Sequence, residues 1–298
     1  MPLDIFVPFW GDPQMLRETV RSVLAQRNGD WKLTVVDDAY PDDSVAPFFE
    51  GLGDPRVTYR RNGTNQGITE NYRTCVAAAT EDVVVILGCD DVLLPNYVDV
   101  VLDAHRDFPD VEIIQPGVQV IDEHGGIVST LADTVKLRLM MPRAASPRVL
   151  AGEQLAASLL RADWLYWPSL AFRREVLQRT PFRSGMPIIQ DLALVIDVVC
   201  AGGRLLLIPT LCFSYRRHTA SASYAKALDG TRFRGERAYF DLAAAQVKAL
   251  GWRRAERAAR IHVTSRLHAL TLLPQAVTSR RPGAVRTLLV HALRPGTA

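Results

Sequence analysis

Cysteine is scarce and badly spaced for chemistry in this 298-residue chain. Its four cysteines, Cys75, Cys89, Cys200 and Cys212, form no CxxC pair and no finger-like spacing, which argues against a zinc site or a disulfide framework and fits a reducing cytoplasm. No run of 18 uninterrupted apolar residues occurs, so no transmembrane helix is expected. The first residues, MPLDIFVPFWGD, lack a basic region ahead of an apolar one; they read as the first strand of a domain, not as a secretory signal. Neither GxGxxG nor GxxxxGK[ST] appears, so the dinucleotide fingerprint and the P-loop are both excluded as phosphate holders.

What is present is a balanced composition, 48% hydrophobic and 22% charged, with enough apolar surface for a sizeable core. The net charge of +3 hides an asymmetry. Residues 1–225 hold 21 Lys+Arg against 28 Asp+Glu, and residues 226–298 hold 14 against 4. An acidic body with a basic tail allows the tail to meet an anionic membrane surface, an acidic partner or the body itself. The basic residues lie outside the main domain without interleaved aromatics, which argues against nucleic-acid binding.

Apolar runs alternate with helical patterns through the first half. Strands are expected at Leu3–Pro8, Lys32–Val36, Arg56–Arg60, Val83–Leu87 and Val111–Gln115, and helices over Pro13–Gln26, Ile68–Ala79 and Pro95–Phe108. Asp12 followed by Pro13 is a helix-start signal. This order means βαβ units, a mostly parallel sheet flanked by helices, and ligands beyond the strands' carboxyl ends. In the second half, residues 129–150 read as a loop crossing the site, Ala151–Leu160 and Gln190–Ala201 as helices, and Arg204–Ile208 and Leu211–Tyr215 as two strands. After Tyr224 the chain reads as helices broken near Gly251, Pro274 and Pro282. The division is therefore an α/β domain over 1–224, itself divided at about 115, and a basic helical extension over 225–298.

The sheet rule gathers Pro8 and Trp10, Asp37-Asp38 and Asp90-Asp91 onto one edge. Adjacent carboxylates at a strand end persist most easily beside something positive, and oxygen-only ligands suit Mg²⁺ or Mn²⁺. An isolated DD is more readily a helix cap with a first-turn acid; two such pairs on one edge are harder to dismiss. Trp10 is equally suited to stacking on a base or packing over the sheet edge. Asp191, a lone acid opening an apolar helix, is a helix cap or a general base whose burial would raise its pKa. Tyr215-Arg216-Arg217-His218 ends a strand with charges suited to a diphosphate; His218 is open between metal ligand and phosphate donor.

In this order the segments IFVPFW, TVVDDAYPDDS, NQGITENYR, ILGCDDVLLPNYV, WPSLAFRREVL, IIQDLALVIDVVCAGG and YRRHTASAS resemble the family 2 glycosyltransferases of GT-A fold, over residues 3 to about 223. The resemblance implies an inverting transfer from a nucleoside-diphosphate sugar, UDP favoured, to a hydroxyl of a glycan or lipid-linked acceptor in cell-surface polysaccharide or glycoconjugate synthesis. It implies Asp191 as the base. Pro8, Trp10, Asp38, Asn65, Gly67, Asn71, Arg73, Asp90, Arg216 and Arg217 fall at the donor, and Asp91 and His218 at a divalent metal. Three departures stand out: Gly88 replaces the first Asp of the frequent DxDD, Gln190 replaces the Glu of the ED pair, and Ala39-Tyr40 replaces a GS after the first acidic pair. A non-catalytic sugar-nucleotide or glycan-binding homologue and a nucleotidyltransferase are the alternatives. Peripheral membrane contact through the basic helices, against packing on the chain's own core or on a second copy in a homo-oligomer, stays open.

Overall fold

The computed structural model describes residues 2–129, 133–134, 136, 140–186, 188–217, 231–278 and 282–293. The chain runs through β1 (Leu3–Phe9), α1 (Pro13–Leu24), β2 (Trp31–Asp37), α2 (Val45–Glu50), β3 (Val57–Arg61), α3 (Ile68–Ala78), β4 (Val83–Ile86), β5 (Val92–Leu93), α4 (Tyr97–Asp107) and β6 (Ile113–Ile121). It continues through β7 (Arg148–Ala151), α5 (Gly152–Arg161), β8 (Ala171–Arg173), α6 (Arg174–Arg179), α7 (Gln190–Cys200) and β9 (Arg204–Arg216). Helices α8 (Thr231–Ala249), α9 (Arg253–Ile261), α10 (Val263–Thr278) and α11 (Pro282–Leu293) follow.

Among the described residues nine strands make one sheet in the order β3-β2-β1-β4-β8-β6-β9-β5, with β7 pairing on β9. The β3-β2-β1-β4 half is wholly parallel. From β8 onward the sheet is mixed: β6 and β9 run parallel, whereas β8, β5 and β7 enter antiparallel. Strand alternation divides the core. Leu3, Ile5, Val7 and Phe9 face α1 and α4 residues such as Leu16, Val20, Tyr97 and Val101, while Phe6, Val84 and Ile86 join the layer of α5 and α7. The expected start of α1 is observed: Asp12 accepts from the Gln14 N–H at 2.7 Å with Pro13 in the first turn.

Two proline expectations are corrected. Arg204–Arg216 is one 13-residue strand, not two, and it passes through Pro209. The register against β6 shifts at Gly117, where a Cβ would stand 2.7 Å from the carbonyl oxygens of Pro209 and Thr210. The irregularity removes Pro209 from the regular ladder, and glycine leaves room for it. In α10 the helix continues through Pro274 to Thr278. Pro274 lies on an exposed position, where water can take the carbonyl that the ring leaves unbonded. The reading also missed β5, β7, β8, α2 and α6, all short.

The expected boundary near 224 is not a boundary of the core. Tyr239, Phe240, Ala243 and Val247 of α8 and Ala255, Ala258 and Ala259 of α9 share one cluster with α5 and α7. A separate small cluster joins Phe233 to Ala269, Ala276, Ala284 and Leu288. No helix of the described residues is long and apolar enough to cross a membrane.

Candidate active site

Because β1, β2 and β4 are parallel, their carboxyl ends open on one edge, and the two acidic pairs flank β1 there. Asp37 is fully buried and accepts from the Tyr40 N–H at 2.8 Å, the Tyr59 hydroxyl at 2.5 Å and Arg61 Nη1 at 3.4 Å. Burial and this carboxylate push the Tyr59 phenol up to about 12. Asp38 is buried too. Its Oδ1 accepts from Asn62 Nδ2 at 2.8 Å and the Gln66 N–H at 2.9 Å, and its Oδ2 from the Gly67 N–H at 2.8 Å. The pair therefore builds the 62–67 loop. Trp10 stands 51% exposed at the mouth, its ring edge-on to Tyr40 at 5.2 Å. Ala39 adopts φ 60°, a conformation that favours the glycine found at this position in the resembling motif.

The second pair is treated differently. Asp91 is buried, and its Oδ1 accepts from the Arg216 N–H at 2.8 Å, but its Oδ2 has no partner. Burial drives this carboxyl well above the ordinary carboxylate range, with the Asp90 charge adding to it and Arg216 opposing. Gly88 is the clearance for this arrangement: a Cβ there would meet Asp91 Oδ2 at 2.3 Å and Asp90 Oδ1 at 3.0 Å. Both carboxylates therefore converge on one small volume. An unpartnered buried carboxylate oxygen beside a second carboxylate is a donor set that fits a hard divalent cation sharing phosphate oxygens. Among the described residues no group of three His, Cys, Asp or Glu could hold a metal, so the protein would supply few ligands. His218 lies outside the described residues.

Arg216 takes a different position from the one expected at a diphosphate. Its Nε donates to the Asp90 carbonyl at 2.6 Å, Nη1 to the carbonyls of Asp122 and Glu123 at 3.3 and 3.0 Å, and Nη2 to Glu18 at 2.8 Å. A buried guanidinium so engaged fixes the acidic turn. Arg217 grips Asp133 through two hydrogen bonds of 2.7 and 2.5 Å, and Tyr166 donates to the same carboxylate at 3.2 Å. Arg73 donates to Glu70, to the Phe182 carbonyl and to Ser184 Oγ. Asn71 Nδ2 donates to the Val36 carbonyl at 3.0 Å, while its Oδ1 is buried without a partner. Asn65 is exposed on the 62–67 loop, and Pro8 is half-buried near the end of β1.

Asp191 opens α7, partly exposed but recessed among protein atoms. Burial pushes its carboxyl up to about 7; Asp163 adds to the rise, whereas the Leu192 N–H, Arg232 and Lys136 oppose it. Burial also pushes Asp163 up, with Lys136 opposing, and desolvation lowers Lys136, which donates to the Leu165 carbonyl and lies 3.9 Å over the Tyr166 ring. Tyr215 lies within reach of the charges of Asp91, Asp90 and Asp191, so both acidic sites approach one tyrosine. Sequence reasoning missed Asp133, Lys136, Asp163 and Arg232. Asp163 and Asp133 had a readable signal, as lone acids in an aromatic stretch and in the 129–150 loop. Arg232 had none, because the extension had been set apart from the site.

Residues 4–143 match the model of the family described as glycosyl transferase family 2. A relative in Escherichia coli K12, named for colanic acid biosynthesis as the glycosyl transferase WcaA, is 29% identical over 105 residues, 35% of this chain and 37% of the relative. An uncharacterized glycosyltransferase of Nostoc, alr2836, is 24% identical over 197 residues, 60% of this chain and 53% of the relative. The matches thus span about a third to a half of these relatives' own length. The crystal structure of Staphylococcus aureus TarS 1–349 in complex with UDP-GlcNAc is similar with a TM-score of 0.72 and 11% identity, covering 98% of this chain and 82% of that one. This likeness concerns the fold.

Proposed function

We propose, from the premise that residues 4–143 belong to glycosyl transferase family 2, that the chain is an inverting glycosyltransferase moving a sugar from a nucleoside-diphosphate sugar to an acceptor hydroxyl. One observation carries this reading. A carboxyl pushed up to about 7, Asp191, and a buried carboxylate oxygen left without a partner, Asp91 Oδ2, both approach Tyr215. A base near neutrality and an oxygen ligand for a hard cation are the two things that displacement of a nucleoside diphosphate needs.

UDP is the favoured nucleotide, since the structurally similar TarS was crystallised with UDP-GlcNAc. Trp10 offers an exposed aromatic face for the base, and the 62–67 loop built on Asp38 borders it. Asp91 and Asp90 would hold Mg²⁺ or Mn²⁺, which would supply positive charge to the diphosphate as it leaves. Arg216 keeps the Asp90-Asp91 turn in place through its backbone N–H and its Nε. Asp191 takes the proton of the acceptor hydroxyl. That oxygen forms its bond to the anomeric carbon as the bond to the diphosphate oxygen breaks, and the configuration inverts. The acceptor is a glycan or lipid-linked hydroxyl in polysaccharide synthesis. Exposed Arg253, Arg254 and Arg257 on α9 suit peripheral contact with an anionic surface.

The test is release of UDP from a panel of UDP-sugars by wild type and Asp191→Asn. Loss of the base is expected to slow turnover by on the order of 10²–10⁴ while UDP still binds. Wild-type rates in Asp191→Asn would remove Asp191 from this role.

A further inference from the structure

We infer that Thr69 and Arg73 are positioning residues for Asp191, and that α3 thereby ties the donor loop to the base. This inference rests on the reading of Asp191 as the base.

The donor end of α3 is fixed first. Gly67, just before the helix, donates its N–H to Asp38, and Asn71 donates to the Val36 carbonyl at the end of β2. One face of the helix then holds the segment ahead of the base. Thr69 Oγ1 donates to Gln190 Oε1 at 2.8 Å, and Gln190 is buried. Arg73 Nη2 donates to the Phe182 carbonyl at 2.5 Å and to Ser184 Oγ at 2.9 Å. Between them the Tyr72 ring meets Phe182 at 5.4 Å and lies roughly parallel to Trp167 at 6.1 Å. Residues 69, 72 and 73 are neighbours on a helix surface at i, i+3 and i+4.

The described residues between Thr180 and Ile189 belong to no helix or strand, so no ladder sets their course. Side-chain ties do: those to α3, and the two hydrogen bonds of 2.8 and 2.7 Å from Arg183 to Asp197 of α7. Asp191 follows Gln190 directly, and a carboxylate acting as a base must sit within hydrogen-bond reach of the proton it takes. A shift of about 1 Å in such a group costs up to 10² in rate. Arg73, expected at the nucleotide from the sequence, thus acts on the acceptor side through the backbone. Gln190, where the resembling motif carries Glu, supplies an uncharged acceptor for Thr69 beside a carboxylate that must ionise.

The test compares Thr69→Val, which keeps the shape and removes the hydroxyl, with Thr69→Ser, which restores it, in the full-length protein. Three measurements are taken: UDP binding by calorimetry, UDP release from UDP-sugars across pH, and amide hydrogen exchange. Thr69→Val is expected to lower turnover by about tenfold at unchanged UDP affinity, with faster exchange over residues 188–192 and unchanged exchange over 62–67. Thr69→Ser should return to within about twofold of wild type. Gln190→Glu keeps an acceptor for Thr69 but adds a charge beside Asp191, so its acidic limb should move to higher pH. Wild-type turnover and exchange in Thr69→Val would overturn the inference, as would a Thr69→Ser variant no better than Thr69→Val, or parallel loss of UDP affinity. If the wild type neither binds UDP nor releases it, the transferase reading fails. Exchange then still reports whether Thr69 orders the start of α7.

Discussion

Asp37-Asp38 and Asp90-Asp91 follow strands on either side of β1 and read alike in the sequence, yet the fold completes one pair and leaves the other open. Both oxygens of Asp38 receive N–H donors from residues 62–67, and Asp37 is held by Tyr40, Tyr59 and Arg61. Asp91 receives one N–H, and its second oxygen faces Gly88, where no side chain stands. A buried carboxylate oxygen without a partner costs free energy, which a proton, a water or a ligand can offset. The first pair is built into the 62–67 loop; the second keeps one oxygen unpartnered beside Gly88.

The sharpest way to break this comparison is to neutralise each pair in turn. Asp91→Asn keeps the shape and removes the charge. It is expected to lower UDP release by about 10³, the several kcal/mol that charge neutralisation at a leaving group supplies, and to abolish any dependence of UDP binding on Mg²⁺ or Mn²⁺. Thermal shifts with UDP, with and without metal, check this. Unaltered metal dependence in Asp91→Asn would make the second pair as structural as the first.

The pH response follows in size. On the proposed reading Asp191 acts as the base and must be ionised, and its carboxyl is pushed from 3.8 up to about 7. Log(kcat/KM) should therefore climb with unit slope to about pH 7 and level off, about 10² lower at pH 5. The same shift acts on stability with a fixed sign. The folded state binds the proton more tightly than the unfolded chain, so this contribution is present below 3.8 and is lost as pH rises toward about 7. Asp191→Asn should flatten both trends.

How much of this was legible in the sequence depends on how far apart the partners lie. β1, β2 and β4, the start of α1 and the gathering of the acidic pairs on one edge all follow from local apolar runs and turn signals. The fates of the pairs do not. Asp38 is completed by residues 28 and 29 positions away, and Asp91 by a residue 125 positions away. A carboxylate's local sequence says nothing of donors that arrive through topology. The same limit hid Arg232, whose charge reaches Asp191 from a helix beyond the expected domain boundary. Pro209 was misread for a related reason, because the relief at Gly117 lies on another strand.

Asp38→Ala sharpens the comparison from the other side. It leaves Asn62, Gln66 and Gly67 without their acceptor; these donors are part-buried, so the cost falls toward the low end of the range of about 1–3 kcal/mol for an unpaired buried group. A lower Tm is expected, with faster hydrogen exchange over residues 62–67, while the metal dependence of UDP binding persists in whatever binding remains. An unchanged Tm would mean that the donor loop does not need the first pair.

The smallest change falls on the residue that separates the two cases. Gly88→Ala adds one Cβ at 2.3 Å from Asp91 Oδ2 and 3.2 Å from its Cγ, inside contact distance, so the carboxylate must rotate or the turn must open. Arg216 holds the other oxygen, which limits the rotation. We expect UDP release to fall about tenfold, from a displacement well under 1 Å at a ligand position, with Tm nearly unchanged. Gly88→Asp, which restores the more frequent DxDD, should be worse than Gly88→Ala, because the added carboxylate would compete with Asp91 for the same volume. Full activity in Gly88→Asp would mean that the turn re-forms around a first Asp, and that the open oxygen of Asp91 is not what this protein uses.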